Sequence, residues 1–287
     1  MNFKTAISLL FIITISCNKV DVDAIHNLNG DFIYIIGHGG VGFQTLNTQL
    51  PENSMLSITK AISVYGADGV EVDVQLTKDL NPVLFHDDVL EASTGCLGYI
   101  YENNLSEIIQ CKYNRDVYAN LFIDEHIATL EAVLQKLSEQ KIKPQLHLDL
   151  RSWLYDKSVH SAAEYFSIYS NKIVSLLEQY NYVGYTYIAA GDIDLLKTLS
   201  SLNSQLNLMI ETSNIYWAVE IIKNNGWYGV VTFSESITKQ EVDYAHLNHV
   251  RVALFGVKTQ PEITRAINKH PDFIITDNIV QTQQILY

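Results

Sequence analysis

Basic residues are scarce in this chain. Across 287 residues, 19 Lys and Arg stand against 32 Asp and Glu, a formal charge of −13 at pH 7. Phosphate backbones are bound by clustered Lys and Arg, so the deficit argues against nucleic acid as a partner and against a polybasic hold on anionic lipid. A small phosphorylated substrate stays open, because a bound metal ion can oppose the global charge locally. Internal repeats and low-complexity stretches are also missing. Beyond the N-terminal leader, no apolar run is long enough to span a bilayer. Cysteine is reduced to three residues, Cys17, Cys96 and Cys111.

The first of these cysteines belongs to a leader. Lys4 supplies a basic start, and residues 6–15 form an apolar segment too short to cross a bilayer. Thr14-Ile15-Ser16-Cys17 then resembles a bacterial lipobox, with an ordinary cleaved signal peptide as the alternative. The expected division is a signal peptide over 1–16, lipidated Cys17, a tether over 17–30 and the folded domain over 31–287. Such a protein is exported to the bacterial periplasm or cell envelope and touches membrane only through its lipid anchor. In that oxidising setting Cys96 and Cys111 form an even pair. A disulfide between them closes a loop of about fifteen residues and stabilises by about 3 kcal/mol; two buried thiols are the other reading.

Beyond residue 30, β-rich runs alternate with helical patterns. Strands are expected at 32–37, 70–76, 82–86, 145–150, 185–189, 206–210, 229–233, 250–255 and 273–276. Helices are expected at 54–65, 129–140, 161–180, 192–202, 215–224, 238–247 and 261–268. Regular βα alternation specifies a parallel sheet covered by helices. The loop 77–81 is too short for a parallel crossover, so the strands around it form an antiparallel hairpin. With the return strand set aside, eight parallel candidates remain, the closing number of a TIM (β/α)8 barrel; an open doubly wound sheet is the alternative. Residues 88–128, aperiodic and carrying both spare cysteines, read as an inserted rim segment after the hairpin.

Two strands carry chemistry. In 70–77, Val70, Val72, Val74 and Leu76 share one face, and Glu71, Asp73, Gln75 and Thr77 share the other. Leu146, Leu148 and Leu150 likewise oppose His147, Asp149 and Arg151. In a barrel the outer face packs on helices, so the acids point inward and need a cation. Adjacent carboxylates suit a hard divalent ion, Mg²⁺ or Ca²⁺, held by Glu71, Asp73 and Asp149. His38 and His86 fall at strand ends, where together they make a base and acid pair for displacement at phosphorus.

The stretch Gly37-His38-Gly39-Gly40-Val41-Gly42 also fits G-x-G-x-x-G. Its context does not suit a dinucleotide: the first helix begins only near Ser54, and the next strand-borne acid, Glu71, comes too late. Gly39, Gly40 and Gly42 could instead present backbone N–H groups to a phosphate oxygen.

His38-Gly39-Gly40, Pro51-Glu52-Asn53-Ser54, the run from Gly66 to Asp79 and Pro82-Val83-Leu84-Phe85-His86-Asp87 together resemble the glycerophosphodiester phosphodiesterase family. The likeness continues through Thr129-Leu130-Glu131, Leu148-Asp149-Leu150-Arg151 and Ile274-Ile275-Thr276-Asp277. It implies a TIM barrel that hydrolyses small glycerophosphodiesters to glycerol 3-phosphate and an alcohol. By the same resemblance His38 and His86 are general base and acid, and one divalent ion lies on Glu71, Asp73 and Asp149 with Glu52 close by. The stretch around His38 would bind phosphate, and the insertion would shape the pocket.

Three departures stand out. Gly39 replaces the family's phosphate-binding arginine of H-R-G. Asp149-Leu150-Arg151 replaces E-x-K, and Phe255-Gly256-Val257-Lys258 replaces W-T-V-N. Arg151 and Lys258 are the expected substitutes in phosphate contact, and His147 is a further candidate for substrate contact. The lost arginine also leaves room for two other roles on the same barrel, a non-catalytic lipoprotein that binds a phosphorylated ligand and a phospholipase D-like lyase.

Overall fold

The strand Gly69–Leu76 is buried along its whole length. Val70, Val72, Val74 and Leu76 join the large apolar layer beneath the helices, while Glu71 and Asp73 face the other way, into a closed ring of strands, and Gln75 donates to Phe85 O and Asp87 O. That division is the one the alternating sequence specifies, and it repeats around the molecule. The computed structural model describes residues 24–43, 50–114 and 124–287. The leader and Cys17 lie outside them, as do residues 115–123 of the expected insertion.

In chain order the strands are β1 (Tyr34–His38), β2 (Gly69–Leu76), β3 (Pro82–Leu84), β4 (Gln145–Leu150), β5 (Thr186–Ala190), β6 (Asn207–Glu211), β7 (Gly229–Phe233), β8 (Arg251–Val257) and β9 (Phe273–Thr276). Their order is β1-β9-β8-β7-β6-β5-β4-β2-β3, and pairing of β1 with β2 closes the ring. β3 stands outside, antiparallel to β2 with Val74 opposite Leu84, so eight parallel strands form the barrel. The hairpin is as expected from its short loop, and the open-sheet alternative is ruled out by closure.

Helices α1 (Met55–Ser63), α2 (Leu105–Ile108), α3 (Leu130–Ser138), α4 (Ala162–Gln179), α5 (Ile193–Leu202), α6 (Ile215–Asn225), α7 (Lys239–Leu247), α8 (Gln260–Ile267) and α9 (Ile279–Leu286) complete the chain. All but the short α2 follow a barrel strand or its hairpin. The sequence patterns did not show α2 or α9; Asn278 caps α9 by accepting from Gln281 N, and Ile279 and Thr282 are buried. Among the described residues no helix is long and apolar enough to cross a membrane.

The insertion has a core of its own. Val83, Phe85, Leu90, Ile100, Ile108, Cys111, Tyr113 and Ile127 pack together. Cys96 and Cys111 are bonded, with Cα atoms 5.6 Å apart. At the other end of the barrel, the expected tether needs correction. Leu28 N donates to Asp272 Oδ1 at 2.9 Å, and Asn27 Nδ2 donates to Pro271 O at 2.9 Å. The fold therefore begins before residue 27, because this segment supplies donors that the start of β9 requires.

Candidate active site

Strand register assembles the site. His38 on β1 pairs with Glu71 on β2, and Asp73 on β2 pairs with Asp149 on β4. His38 ends β1 and Asp149 falls near the end of β4, toward the mouth where (β/α)8 barrels place their chemistry. A single cavity is lined by His38, Glu71, Asp73, His86, Asp149 and Arg151, among others.

Glu71, Asp73 and Asp149 present carboxylate oxygens within 4.8 Å of one another. Burial, then repulsion from Asp73 and Asp149, pushes the Glu71 carboxyl well above the usual range. The Asp149 carboxyl is likewise driven up by burial, then by the charges of Glu211 and Asp73. Asp149 Oδ1 is buried without a hydrogen-bond partner. Arg151 is the nearby cation, its Nη1 lying 3.4 Å from Asp149 Oδ2 and its Nε 3.6 Å from Asp73 Oδ1. One guanidinium against three carboxylates leaves two negative charges, which fits one hard divalent ion on an all-oxygen set.

Asp73 is fixed from the side. Asn53 Nδ2 donates to Asp73 Oδ2 at 2.9 Å, while Asp73 N donates to Asn53 Oδ1 at 3.0 Å. Asn53 takes a positive φ of 59° just before the cap of α1, and Ser54 Oγ then accepts from Ser57 N at 3.2 Å. This turn also buries Glu52 beside Gly39.

The histidines are each held by an aspartate. His38 Nδ1 lies 2.8 Å from Asp277 Oδ1, and His86 Nδ1 lies 3.1 Å from Asp87 Oδ1. A carboxylate accepts only, so each Nδ1 carries its proton and each Nε2 is left for chemistry. Burial acts to raise the Asp277 carboxyl, but the His38 hydrogen bond and neighbouring charges hold it below the usual range. Asp87 is lowered chiefly by the His86 bond. Phe43 stands between the two imidazoles, with ring centroids 4.2 Å from His38 and 4.8 Å from His86.

The other expected contacts are placed differently from one another. A Cβ on Gly39 would meet Glu52 Cβ at 2.6 Å and the Phe43 ring at 2.9 Å, and the residue has φ 56°. The site therefore has no room for an arginine there. Gly39 N donates to Glu71 Oε2 at 3.1 Å and Gly40 N to Gly37 O at 3.2 Å, so both amides are engaged within the protein. Arg151 Nη2 donates to His86 O at 2.7 Å, and its guanidinium lies 4.8 Å from the Trp153 ring centroid. Lys258 Nζ lies 3.2 Å from Asp277 Oδ2. His147 sits deeper, stacked on Tyr187 with centroids 4.6 Å apart, and burial lowers its pKa to about 3.

Sequence reasoning did not single out Asn53, Phe43, Asp87 or Glu211 as site residues. Asn53, Asp87 and Asp277 entered only within the family likeness, without a role. Glu211 ends β6 and lines the same cavity.

A barrel with an acid triad and two histidines at its mouth is an arrangement that suits phosphoric diester hydrolysis. A model of the glycerophosphoryl diester phosphodiesterase family matches residues 44–281, and the chain belongs to that family. It is 23% identical over 236 residues to a glycerophosphodiester phosphodiesterase of Caldanaerobacter subterraneus, covering 80% of this chain and 89% of the relative. The corresponding protein of Bacillus altitudinis is 25% identical over 79% of this chain and 89% of its own. In fold, the chain is similar to an Oleispira antarctica phosphodiesterase solved with its product sn-glycerol-3-phosphate. That match has a TM-score of 0.74 and 21% identity, and it covers 88% of this chain and 96% of that one.

Proposed function

We propose that this protein hydrolyses glycerophosphodiesters to glycerol 3-phosphate and an alcohol, using His38 as general base, His86 as general acid and one divalent ion, Mg²⁺ or Ca²⁺. The observation that carries the reading is the convergence of Glu71, Asp73 and Asp149 within 4.8 Å, beside a histidine whose Nδ1 is committed to Asp277. When bound, the ion supplies positive charge against the charge that develops on the phosphoryl oxygens. His38 Nε2 takes the proton of the attacking water as its oxygen bonds to phosphorus. His86 gives a proton to the alcohol oxygen as the ester bond breaks, and Asp87 stabilises the imidazolium before transfer. Asp277 orients His38 and favours its charged form once the proton has arrived. Arg151 braces the site by holding the His86 carbonyl and two of the carboxylates.

The engaged amides of Gly39 and Gly40 leave phosphate to be held chiefly by the ion, with Arg151 in the cavity wall and Lys258 beside Asp277 as further cations. We also infer an exported, lipid-anchored protein. The leader motif supports this, and the Cys96–Cys111 bond suits an oxidising compartment.

The test is release of glycerol 3-phosphate from a panel of glycerophosphodiesters, with and without chelator. Turnover should require Mg²⁺ or Ca²⁺, and His38→Ala should lower kcat about 10²- to 10⁴-fold. Equal rates for that variant and the wild type would show that the base is misassigned.

A further inference from the structure

One carboxylate in the cavity is left over. The charges of Glu71, Asp73 and Asp149 are balanced by Arg151 together with a divalent ion, but Glu211 adds a fourth acid to the same cavity wall. It does not belong to the ligand group, because only Glu71, Asp73 and Asp149 bring their oxygens within 4.8 Å of each other. Arg151 and Asp73 act on Glu211 through charge, and among the described residues no hydrogen-bond donor pairs with its carboxylate. In the ring order β1-β9-β8-β7-β6, the Glu211 strand lies four steps from the His38 strand, on the far side of the mouth. The same cavity also has apolar and aromatic lining, from Tyr187, Met209, Val231 and Phe255.

A phosphodiester is itself an anion. Placed at the metal, it brings a further negative charge toward an uncompensated carboxylate, a repulsion that is screened less in a cavity than in open water. The combination is offset by a substrate that carries its own cation on the arm reaching across the mouth. Carboxylates pair with ammonium groups, and aromatic faces add favourable contact with them.

We propose that Glu211 selects the alcohol half of the substrate, accepting an ammonium-bearing head group such as an ethanolamine or choline ester over an uncharged polyol ester. The inference rests on the phosphodiesterase reading above and adds a substrate class to it. An uncharged polyol could donate hydroxyl hydrogen bonds to Glu211 but would leave the negative charge unbalanced.

The experiment compares kcat/KM for glycerophosphoethanolamine, glycerophosphocholine and glycerophosphoglycerol in the full chain and in Glu211→Gln and Glu211→Asp. The expected wild-type preference for the two ammonium esters is about tenfold or more. Glu211→Gln should collapse that ratio toward unity, mainly through KM, and Glu211→Asp should restore part of it. Calorimetric titration of Glu211→Gln with Mg²⁺ or Ca²⁺ should give wild-type affinity. An unchanged substrate ratio in Glu211→Gln, or loss of its divalent-ion binding, would overturn the proposal while leaving the phosphodiesterase reading standing. Failure of the wild type to turn over any of the three esters would overturn both.

Discussion

Two aspartates at opposite ends of the barrel, one buried and one partly buried, are treated in opposite ways. At the bottom, Asp272 is fully enclosed, and its oxygens accept from Leu28 N at 2.9 Å, Val252 N at 2.8 Å and His246 Nε2 at 2.9 Å. At the mouth, Asp149 is crowded by Asp73 and Glu71 and keeps a buried oxygen with no donor. The first carboxylate is satisfied by the chain and anchors the N-terminal segment to the barrel. The second receives Arg151 on Oδ2, but its Oδ1 has no donor among the described residues. The supply of donors thus separates the structural acid from the one proposed as a metal ligand.

Substitutions should break the two ends in opposite directions. Asp272→Ala strips three donors of their acceptor and should destabilise the protein by about 3–5 kcal/mol, read by chemical denaturation. Between the ends lies His147, whose pKa is lowered by burial from 6.5 to about 3. Its folded state favours the neutral ring, so its contribution is complete above the unfolded pKa and falls as pH drops from 6.5 toward about 3. His147→Phe keeps a ring against Tyr187 and removes that titration. The gap between wild-type and variant unfolding free energies should change by about 2 kcal/mol between pH 6.5 and 5. The smallest effect is expected at the mouth, where Asp149→Asn relieves repulsion and should stabilise the chelated protein by about 1 kcal/mol. If it destabilised instead, the contrast between the ends would be lost.

The barrel and half of its site were legible because strict alternation exposes them. Val70 to Thr77 and Leu146 to Arg151 place apolar and polar residues on opposite faces, and parallel register does the rest. Glu211 was hidden because Met209 interrupts the polar side of Asn207-Leu208-Met209-Ile210-Glu211, so one acid at a strand end carried no pattern. Phe43 lies in a loop with no periodicity, and its place between the histidines is purely tertiary. Gly39 was recognisable as a missing arginine, but the reason, a wall made by Glu52 and Phe43, requires coordinates. The docking of Asn27 and Leu28 escaped notice because a polar N-terminal segment looks the same whether it is a free tether or bonded to Asp272.

The most direct test of the central claim is thermal unfolding of the wild type in chelator and in saturating Mg²⁺ or Ca²⁺, beside Asp149→Asn. The proposed acid triad predicts that the ion raises the wild-type Tm by about 5–10 °C and leaves Asp149→Asn nearly unmoved. An equal rise in both proteins, or none in either, would contradict the assignment of Glu71, Asp73 and Asp149 as the divalent-ion site.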